Sequence, residues 1–230
     1  MDKNMDKNMN KSMSIRLLRE SEIEIRGQQA GKSQSGFWGL FLLFKDARVD
    51  MRILDETFGV LGWQRSHQLI DNNLYCTIEI WDSEKSQWVS KQDVGTPSEA
   101  EAEKGQASDA FKRAGFNIGI GRELYTAPTI FINLNDDEVY EQDGKVKVSK
   151  KVKFIVSEIE YNNNREISLL NITDSKGIVR FSWVGDIFCD FCKEKVAEYK
   201  GRSPETILAV SRKNLNANAC GSCLAEKLKK

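Results

Sequence analysis

The sequence predicts an α+β fold with antiparallel β-meanders, well-marked helices and a cysteine-rich C-terminal segment. Residues 62–93 contain side chains that alternate between two faces, as in β-strands, and a helical pattern begins at Thr96. Two Cys-x-x-C motifs, Cys189–Cys192 and Cys220–Cys223, stand near the C-terminus. We therefore expect a β-β-β-α core, an additional antiparallel β-meander and a small four-cysteine zinc module.

The chain of 230 residues is predicted to divide into three segments. Residues 1–14 repeat a short polar motif without aromatic residues, so we expect a disordered arm. Residues 15–186 would form the main domain and residues 187–230 the cysteine module. Lys plus Arg equals Asp plus Glu at 34 each, so binding of nucleic acid would require cations sorted onto one face.

The cellular compartment is predicted from the search for membrane spans and secretory signals in the sequence. Gly36–Phe44, the most apolar run, is about half as long as a membrane-spanning helix must be. No secretory signal pattern is visible, so we expect a cytoplasmic protein without a membrane partner. In that compartment, paired cysteines are first interpreted as metal ligands rather than disulfides.

Two strands and a helix are predicted ahead of the first meander. Residues 23–26 alternate apolar and charged side chains, as a short strand does. The composition of Gly27–Gly36 predicts a loop, and Phe37–Phe44 predicts a buried strand. Asp46 caps a helix that Gly59 ends.

The helix after the first meander has a strong N-terminal signature. Thr96 can cap it, Pro97 suits the first helical position, and Glu99 completes a capping box. Either Gly115 or Gly119 ends the helix. Its inward stripe is predicted to consist of mostly small residues, namely Ala100, Ala107, Ala110, Phe111 and Ala114.

A second meander is predicted beyond Pro128. Asp143-Gly144 is a two-residue hairpin signal, and Ser203 opens a short helix through Ser211. Further strands are expected at residues 151–161, 166–172 and 178–184.

The C-terminal cysteines are the most specific metal signal in the chain. Each Cys-x-x-C can present two thiolates to one ion, and four protein ligands leave no open position, so the zinc would be structural. The competing interpretations are a redox dithiol or two unlinked buried pairs. The predicted ligands are Cys189, Cys192, Cys220 and Cys223.

Catalysis is not predicted. The chain has one histidine, His67, on a predicted strand, where we expect a structural role. No G-x-x-x-x-G-K-[ST] phosphate loop is present, and the glycines near residue 119 follow a helix instead of opening one. We therefore expect a binding protein without a nucleotide cofactor.

Cations around the central helix suit an anionic ligand. Lys104 and Lys112 share a helical row, Arg113 lies beside it, and Arg122 follows glycines that allow a close backbone approach. Arg48 and Arg52 share a face of the first helix. Ordinary surface ion pairing is the alternative for these two arginines, and shaping of the turn is the alternative for Arg122.

The order of these features resembles a known family. Phe58-Gly59 and Gly62-Trp63 precede the β-β-β meander, and the helix contains Glu103-Lys104, Ser108-Asp109 and Phe111–Ala114. Gly119–Tyr125, reading Gly-Ile-Gly-Arg-Glu-Leu-Tyr, then follows. Residues 46–128 thus resemble the Rad fifty-two type of single-strand annealing protein in its phage form, the Sak-like recombinases.

The resemblance implies a β-β-β-α core whose subunits assemble into rings around a basic groove for single-stranded DNA. Lys112 and Arg113 fall on the family's basic pair in that groove. An arginine of the first helix also lines it, and here either Arg48 or Arg52 lies near that position.

The predicted function is ATP-independent binding and annealing of single-stranded DNA in phage recombination and repair. The alternative is a passive single-strand binding or loading module whose zinc segment docks a partner. A single-strand-binding protein, a helicase or an exonuclease would be such a partner. If a phage encodes the protein, its location is the cytoplasm of the bacterial host.

Overall fold

The computed structural model describes residues 14–96 and 102–229, without the side chains of residues 102–104. The predicted polar arm and the predicted cap residues Pro97 and Glu99 therefore lie outside the described residues. In chain order, the strands and α-helices are β1 (Glu24–Ser33), β2 (Gly36–Phe44), α1 (Ala47–Phe58), β3 (Trp63–Ile70), β4 (Asn73–Asp82), β5 (Gln87–Val94), α2 (Ala102–Ile118), β6 (Ile130–Leu134), β7 (Val139–Gln142), β8 (Lys145–Val148), β9 (Phe154–Tyr161), β10 (Ile167–Asp174), β11 (Val179–Val184), α3 (Pro204–Leu215) and α4 (Gly221–Lys227).

The chain forms two compact units, and residues 45–122 of the first interrupt the second in chain order. Unit 1 takes in the residues up to Leu18 together with Lys45–Arg122, and unit 2 takes in Arg19–Phe44 and Glu123–Lys230. No helix within the described part of the chain has the length and apolar character needed to cross a membrane.

Unit 1 contains the predicted meander and the helix that follows it. Strands β3, β4 and β5 form an antiparallel sheet in that order, and α2 packs against β4 and β5. Ala110, Phe111 and Ala114 are fully buried, as the predicted stripe requires, whereas Ala107 is half-buried. On the sheet side, Cys76 is fully buried too, consistent with a core thiol. Ala100 lies outside the described residues.

Both helices of unit 1 end at glycines. Asp46 caps α1 by accepting a hydrogen bond from the Arg48 backbone amide at 2.8 Å, and Gly59 ends it with a φ of 78°. Gly119, with a φ of 115°, follows the last residue of α2 and donates its amide to the Phe116 carbonyl at 3.0 Å. Of the two glycines considered from the sequence, Gly119 is therefore the one that ends the helix.

The predicted loop over Gly27–Gly36 was wrong. Strand β1 continues to Ser33 and pairs with β2 in antiparallel register, opposing Gly31 to Trp38. A Cβ atom at Gly31 would lie 2.5 Å from the Trp38 ring, so this glycine makes room for the large side chain across the sheet. The glycines of β1 thus serve close packing within a strand.

Unit 2 contains the remaining sheets. One sheet has the order β1-β2-β6 and another β11-β10-β9, while β7 and β8 form a separate hairpin. The hairpin turns at Asp143 and Gly144, whose φ values of 54° and 70° suit a two-residue turn of primed type, as predicted. Helix α3 begins after the Ser203 cap, as expected, but continues to Leu215.

The cysteine segment has its own hydrophobic cluster. Leu169 of β10 belongs to this cluster, so the segment packs directly on the second meander. Helix α4 was not predicted, because it has only 7 residues and no side-chain cap. The buried members are Leu169, Ile187, Cys189, Val196, Ile207, Leu208, Ala219, Cys220 and Leu224.

Candidate functional site

Four cysteine sulfurs of unit 2 converge on one point. The Sγ atoms of Cys189, Cys192, Cys220 and Cys223 all lie within 4.8 Å of one another, and those of Cys192 and Cys220 are 3.6 Å apart. Thiolates bound to a tetrahedral zinc ion at about 2.3 Å would lie about 3.8 Å from each other. The four sulfurs are therefore compatible with a structural metal site.

The first cysteine pair is held by a tight hairpin. The Cys189 amide donates to the Glu194 carbonyl at 2.8 Å, and the Lys193 amide donates to the Cys189 carbonyl at 2.9 Å. Lys193 has a φ of 65°, which turns the chain back immediately after Cys192. The turn brings both sulfurs of this pair to the same side.

The second cysteine pair is placed by a helix start. Cys220 is the residue before α4, and Cys223 lies in the first turn of that helix. Asp190 joins the two pairs: its amide donates to the Asn218 carbonyl at 2.8 Å, and its carboxylate accepts the Asn218 amide at 2.7 Å. These bonds join the two Cys-x-x-C motifs directly.

Hydrogen bonds stabilise the thiolate form at two of the cysteines, from backbone amides at Cys189 and chiefly from a hydroxyl at Cys220. Burial alone would raise the pKa of Cys189, but amides of Cys192, Cys220 and Phe191 outweigh it and lower that pKa to about 6. Burial also opposes ionisation of Cys220, whose pKa is nevertheless lowered, chiefly by the Ser222 hydroxyl 3.1 Å away. Thiolates are the form that binds metal.

The two residues of the predicted basic pair on α2, Lys112 and Arg113, point to different neighbouring elements. Arg113 is exposed and directed to β5, where its Nε lies 3.3 Å from a carboxylate oxygen of Asp93. Lys112 is half-buried and lies near the start of α1, where its charge contributes to the lowered pKa of Asp46 and opposes the burial that raises the pKa of Asp50. Consecutive helical residues point about 100° apart, which accounts for the divergence.

The first-helix arginines lie on the exposed side of α1. The Arg48 guanidinium binds Asp46 at 2.8 Å and holds the pKa of that carboxyl at about 2, with a smaller contribution from Lys112. Arg52, one turn further on, is exposed. The structure therefore brings Arg48 and Lys112 together around Asp46.

Arg122 and Lys104 are placed differently from this group. Arg122 donates to the carbonyls of Phe116 and Asn117, both at 2.8 Å, and so satisfies backbone acceptors at the end of α2. The Lys104 side chain lies outside the described residues. Whether the predicted cations bind an anion stays a prediction.

Sequence reasoning missed a buried ion pair in unit 1. The Lys45 ammonium contacts a carboxylate oxygen of Asp50, and both residues are buried. A Cβ atom on Gly115 would lie 2.6 Å from that carboxylate, and one on Gly121 would lie 2.4 Å from Cε of Lys45. Gly115 and Gly121 thus indicate close packing around this ion pair. From the sequence, the glycines before Arg122 were instead expected to let the backbone approach an anionic ligand.

Arg65 is a second cation that the sequence analysis overlooked. It lies on β3 with its guanidinium carbon 4.5 Å from the centroid of the Phe111 ring. The contact places Arg65 beside α2 at the exposed edge of the sheet. The alternation of β3 was the available signal, because it puts Arg65 on the same side as Trp63, which stacks on Phe111.

His67 contacts α2. Its Nε2 lies 3.2 Å from the backbone carbonyl of Ala107 on α2. This contact joins the edge strand β3 to α2.

Comparisons with known proteins found no match. The chain matches no family model, no curated protein and no solved structure.

Proposed function

We propose that this protein binds single-stranded DNA and anneals complementary strands without ATP. The observation that carries the proposal is a helix bearing Lys112 and Arg113 directly after an antiparallel β-β-β meander, in the order that the sequence resemblance requires. Arg48 and Arg65 add cations on the neighbouring elements α1 and β3. A strand would be held through its phosphates, with its bases left free to pair.

The ion pairs of these arginines are compatible with phosphate binding. The Arg48 side chain is 83% exposed and that of Arg113 is 50% exposed, although each contacts a carboxylate. Exposed ion pairs are worth about 1 kcal/mol or less, so a phosphate can replace the carboxylate at small cost. Asp46 and Asp93 would then keep both guanidinium groups oriented while no DNA is bound.

Annealing needs no catalytic group or nucleotide, because base pairing supplies the free energy. The protein has to keep strands extended and bring them together. A chain with a formal net charge of zero achieves this best when several copies repeat a local basic patch. Assembly into a ring of subunits would provide such repetition.

The outer face of the β3-β4-β5 sheet offers a surface for that assembly. Residues on this face alternate with those that contact α2, and Glu79 is the single charged residue among them in β3, β4 and β5. Trp81 and Trp88 form an edge-to-face pair there and are each about two-fifths exposed. We propose that a second copy covers this face, which native mass spectrometry would detect as oligomers.

We propose zinc as the metal of the four cysteines. Four thiolate ligands favour zinc over oxygen-preferring cations, and the closed ligand set gives it a structural role. Metal analysis of protein purified without chelators should find about one zinc per chain. Cys192→Ser should reduce that content sharply, whereas Cys76→Ala should not.

An annealing assay tests the proposed function. Two complementary oligonucleotides that carry a fluorophore and a quencher are mixed with the protein in the absence of ATP, and the rate of duplex formation is measured. We expect acceleration over spontaneous pairing at protein concentrations that saturate the strands. Binding without acceleration would instead favour the passive loading module, and no binding by the folded protein would exclude both.

A further inference from the structure

A cleft of about 290 Å³ lies in the cysteine segment of unit 2. Ile207 of α3 and Leu224 of α4 form its buried floor, and Ala225 and the half-exposed Leu228 extend the apolar lining. The floor is thus aliphatic, and it is wide enough for one or two apolar side chains. The four-cysteine cluster adjoins the cleft, because α4 begins at Gly221 within the second Cys-x-x-C motif.

Two cations stand at the mouth of this cleft. Tyr199 and Arg202 exchange backbone hydrogen bonds of 3.1 Å in both directions, which closes a two-residue turn. Lys200 and Gly201 have φ values of 51° and 73°, as a tight turn of primed type requires. The turn fixes Lys200 and Arg202 at the rim, where both are exposed. The described residues that line the cleft include no acidic side chain.

The aromatic ring in the cleft wall, that of Tyr199, is partly covered by its neighbours. A Cβ atom on Gly221 would lie 2.2 Å from Cγ of Tyr199, so the glycine backbone packs directly against this side chain. The Lys200 ammonium lies 5.3 Å from the ring centroid. With these contacts in place, the Tyr199 ring is poorly available for stacking on a nucleobase. Such stacking is how aromatic side chains usually bind single-stranded nucleic acid.

We propose that this cleft binds an acidic peptide segment of a partner protein. An apolar side chain of the peptide would rest on Ile207 and Leu224, and neighbouring carboxylates would pair with Lys200 and Arg202. An apolar floor with a cationic rim is complementary to this peptide chemistry. The proposal does not depend on strand annealing, because all the residues involved lie in unit 2.

A peptide-binding measurement on the full-length protein tests the proposal. The probe is a fluorescein-labelled peptide rich in aspartate that ends in leucine, and fluorescence anisotropy gives its Kd. A Lys200→Glu/Arg202→Glu variant should bind roughly tenfold more weakly, because both cations that would pair with the carboxylates of the peptide are replaced by repelling charges. Lys213→Glu, which changes an exposed lysine of α3 outside the cleft, should bind as the wild type does.

Two further probes establish which chemistry the cleft recognises. Replacing the final leucine of the peptide by serine should weaken binding, and an oligothymidine should not compete with the peptide. Binding that is unchanged in the double variant would overturn the proposal. Displacement of the peptide by oligothymidine in the wild type, lost in the double variant, would identify a nucleic-acid site and overturn it as well.

Discussion

At the scale of single residues, the buried Lys45–Asp50 pair accounts for the glycines around it. Burial of two charges is costly unless they are paired, and Oδ2 of Asp50 has no hydrogen-bond partner within the described residues. Gly115 and Gly121 leave space for the carboxylate and the ammonium, respectively. This ion pair, packed under α2, is therefore a sensitive point in the stability of unit 1.

The first prediction concerns the pH dependence of that stability. Burial raises the pKa of Asp50 to about 6, against the opposing charge of Lys45, while its ordinary value is 3.8. The native state thus binds the Asp50 proton more tightly than the unfolded state does. The stabilisation of the native state by this proton is complete below pH 3.8 and is lost as the pH rises through about 6. The free energy of unfolding should fall by up to about 3 kcal/mol over that interval.

Chemical denaturation at a series of pH values measures this slope. Asp50→Asn should remove it, although the variant will be less stable overall because Lys45 loses its counter-charge. The exposed control Asp137→Asn should retain the wild-type slope. An identical slope in Asp50→Asn would show that other groups cause the pH dependence.

The second prediction concerns the glycine beside Lys45. Gly121 and Gly177 have similar φ values, 76° and 79°, but a Cβ atom would be crowded only at Gly121. Lys45 cannot move aside freely because it is buried and paired. Gly121→Ala should therefore destabilise the protein by about 2 kcal/mol more than Gly177→Ala does. Equal losses in denaturation experiments would mean that Lys45 adjusts without cost.

At the scale of elements, local chemistry predicted helices and hairpins better than long-range pairing. Asp46, Ser203 and Asp143-Gly144 were identified correctly because caps and turns depend on neighbouring residues. The length of β1 was missed because Gly31 makes room for Trp38 across the sheet, a contact that no local pattern reveals. The two cysteine pairs could be predicted as metal ligands, since the spacing within each Cys-x-x-C motif is itself local.

Removal of the metal provides a third prediction at this scale. The cysteine segment has a hydrophobic cluster that includes Leu169, so we expect a zinc chelator to loosen it without unfolding the whole of unit 2. Hydrogen exchange should accelerate at residues 187–196 and in α4, while the amides of β2 and β9, which also belong to unit 2, stay protected. Cys192→Ser should reproduce this pattern. Unchanged exchange at both Cys-x-x-C motifs would contradict a structural metal.

At the scale of the whole molecule, the insertion of residues 45–122 into unit 2 explains why the sheet arrangement could not be predicted. Strand β2 pairs with β6, with Phe37 opposite Leu134, although residues 45–122 of unit 1 lie between the two strands in the chain. The meander and α2, which are consecutive, could be predicted together with the positions of Lys112 and Arg113. The directions of those side chains depend on Asp93 and the start of α1, which only the folded unit brings close.

The salt dependence of single-strand binding tests most directly whether Lys112 and Arg113 hold the DNA backbone. The Kd for an oligothymidine is measured over a range of salt concentrations for the wild type, for Lys112→Gln/Arg113→Gln and for Lys85→Gln. The last variant is the control, because Lys85 is an exposed lysine in the turn before β5, paired with Asp82 at 3.0 Å.

We expect the double variant to bind more weakly and to lower the slope of log K against log salt by about 1.4, since each phosphate contact on a single strand contributes about 0.7. Lys85→Gln should keep the wild-type slope. A folded double variant with the wild-type affinity and slope would show that α2 does not hold the strand, and would contradict the proposed site.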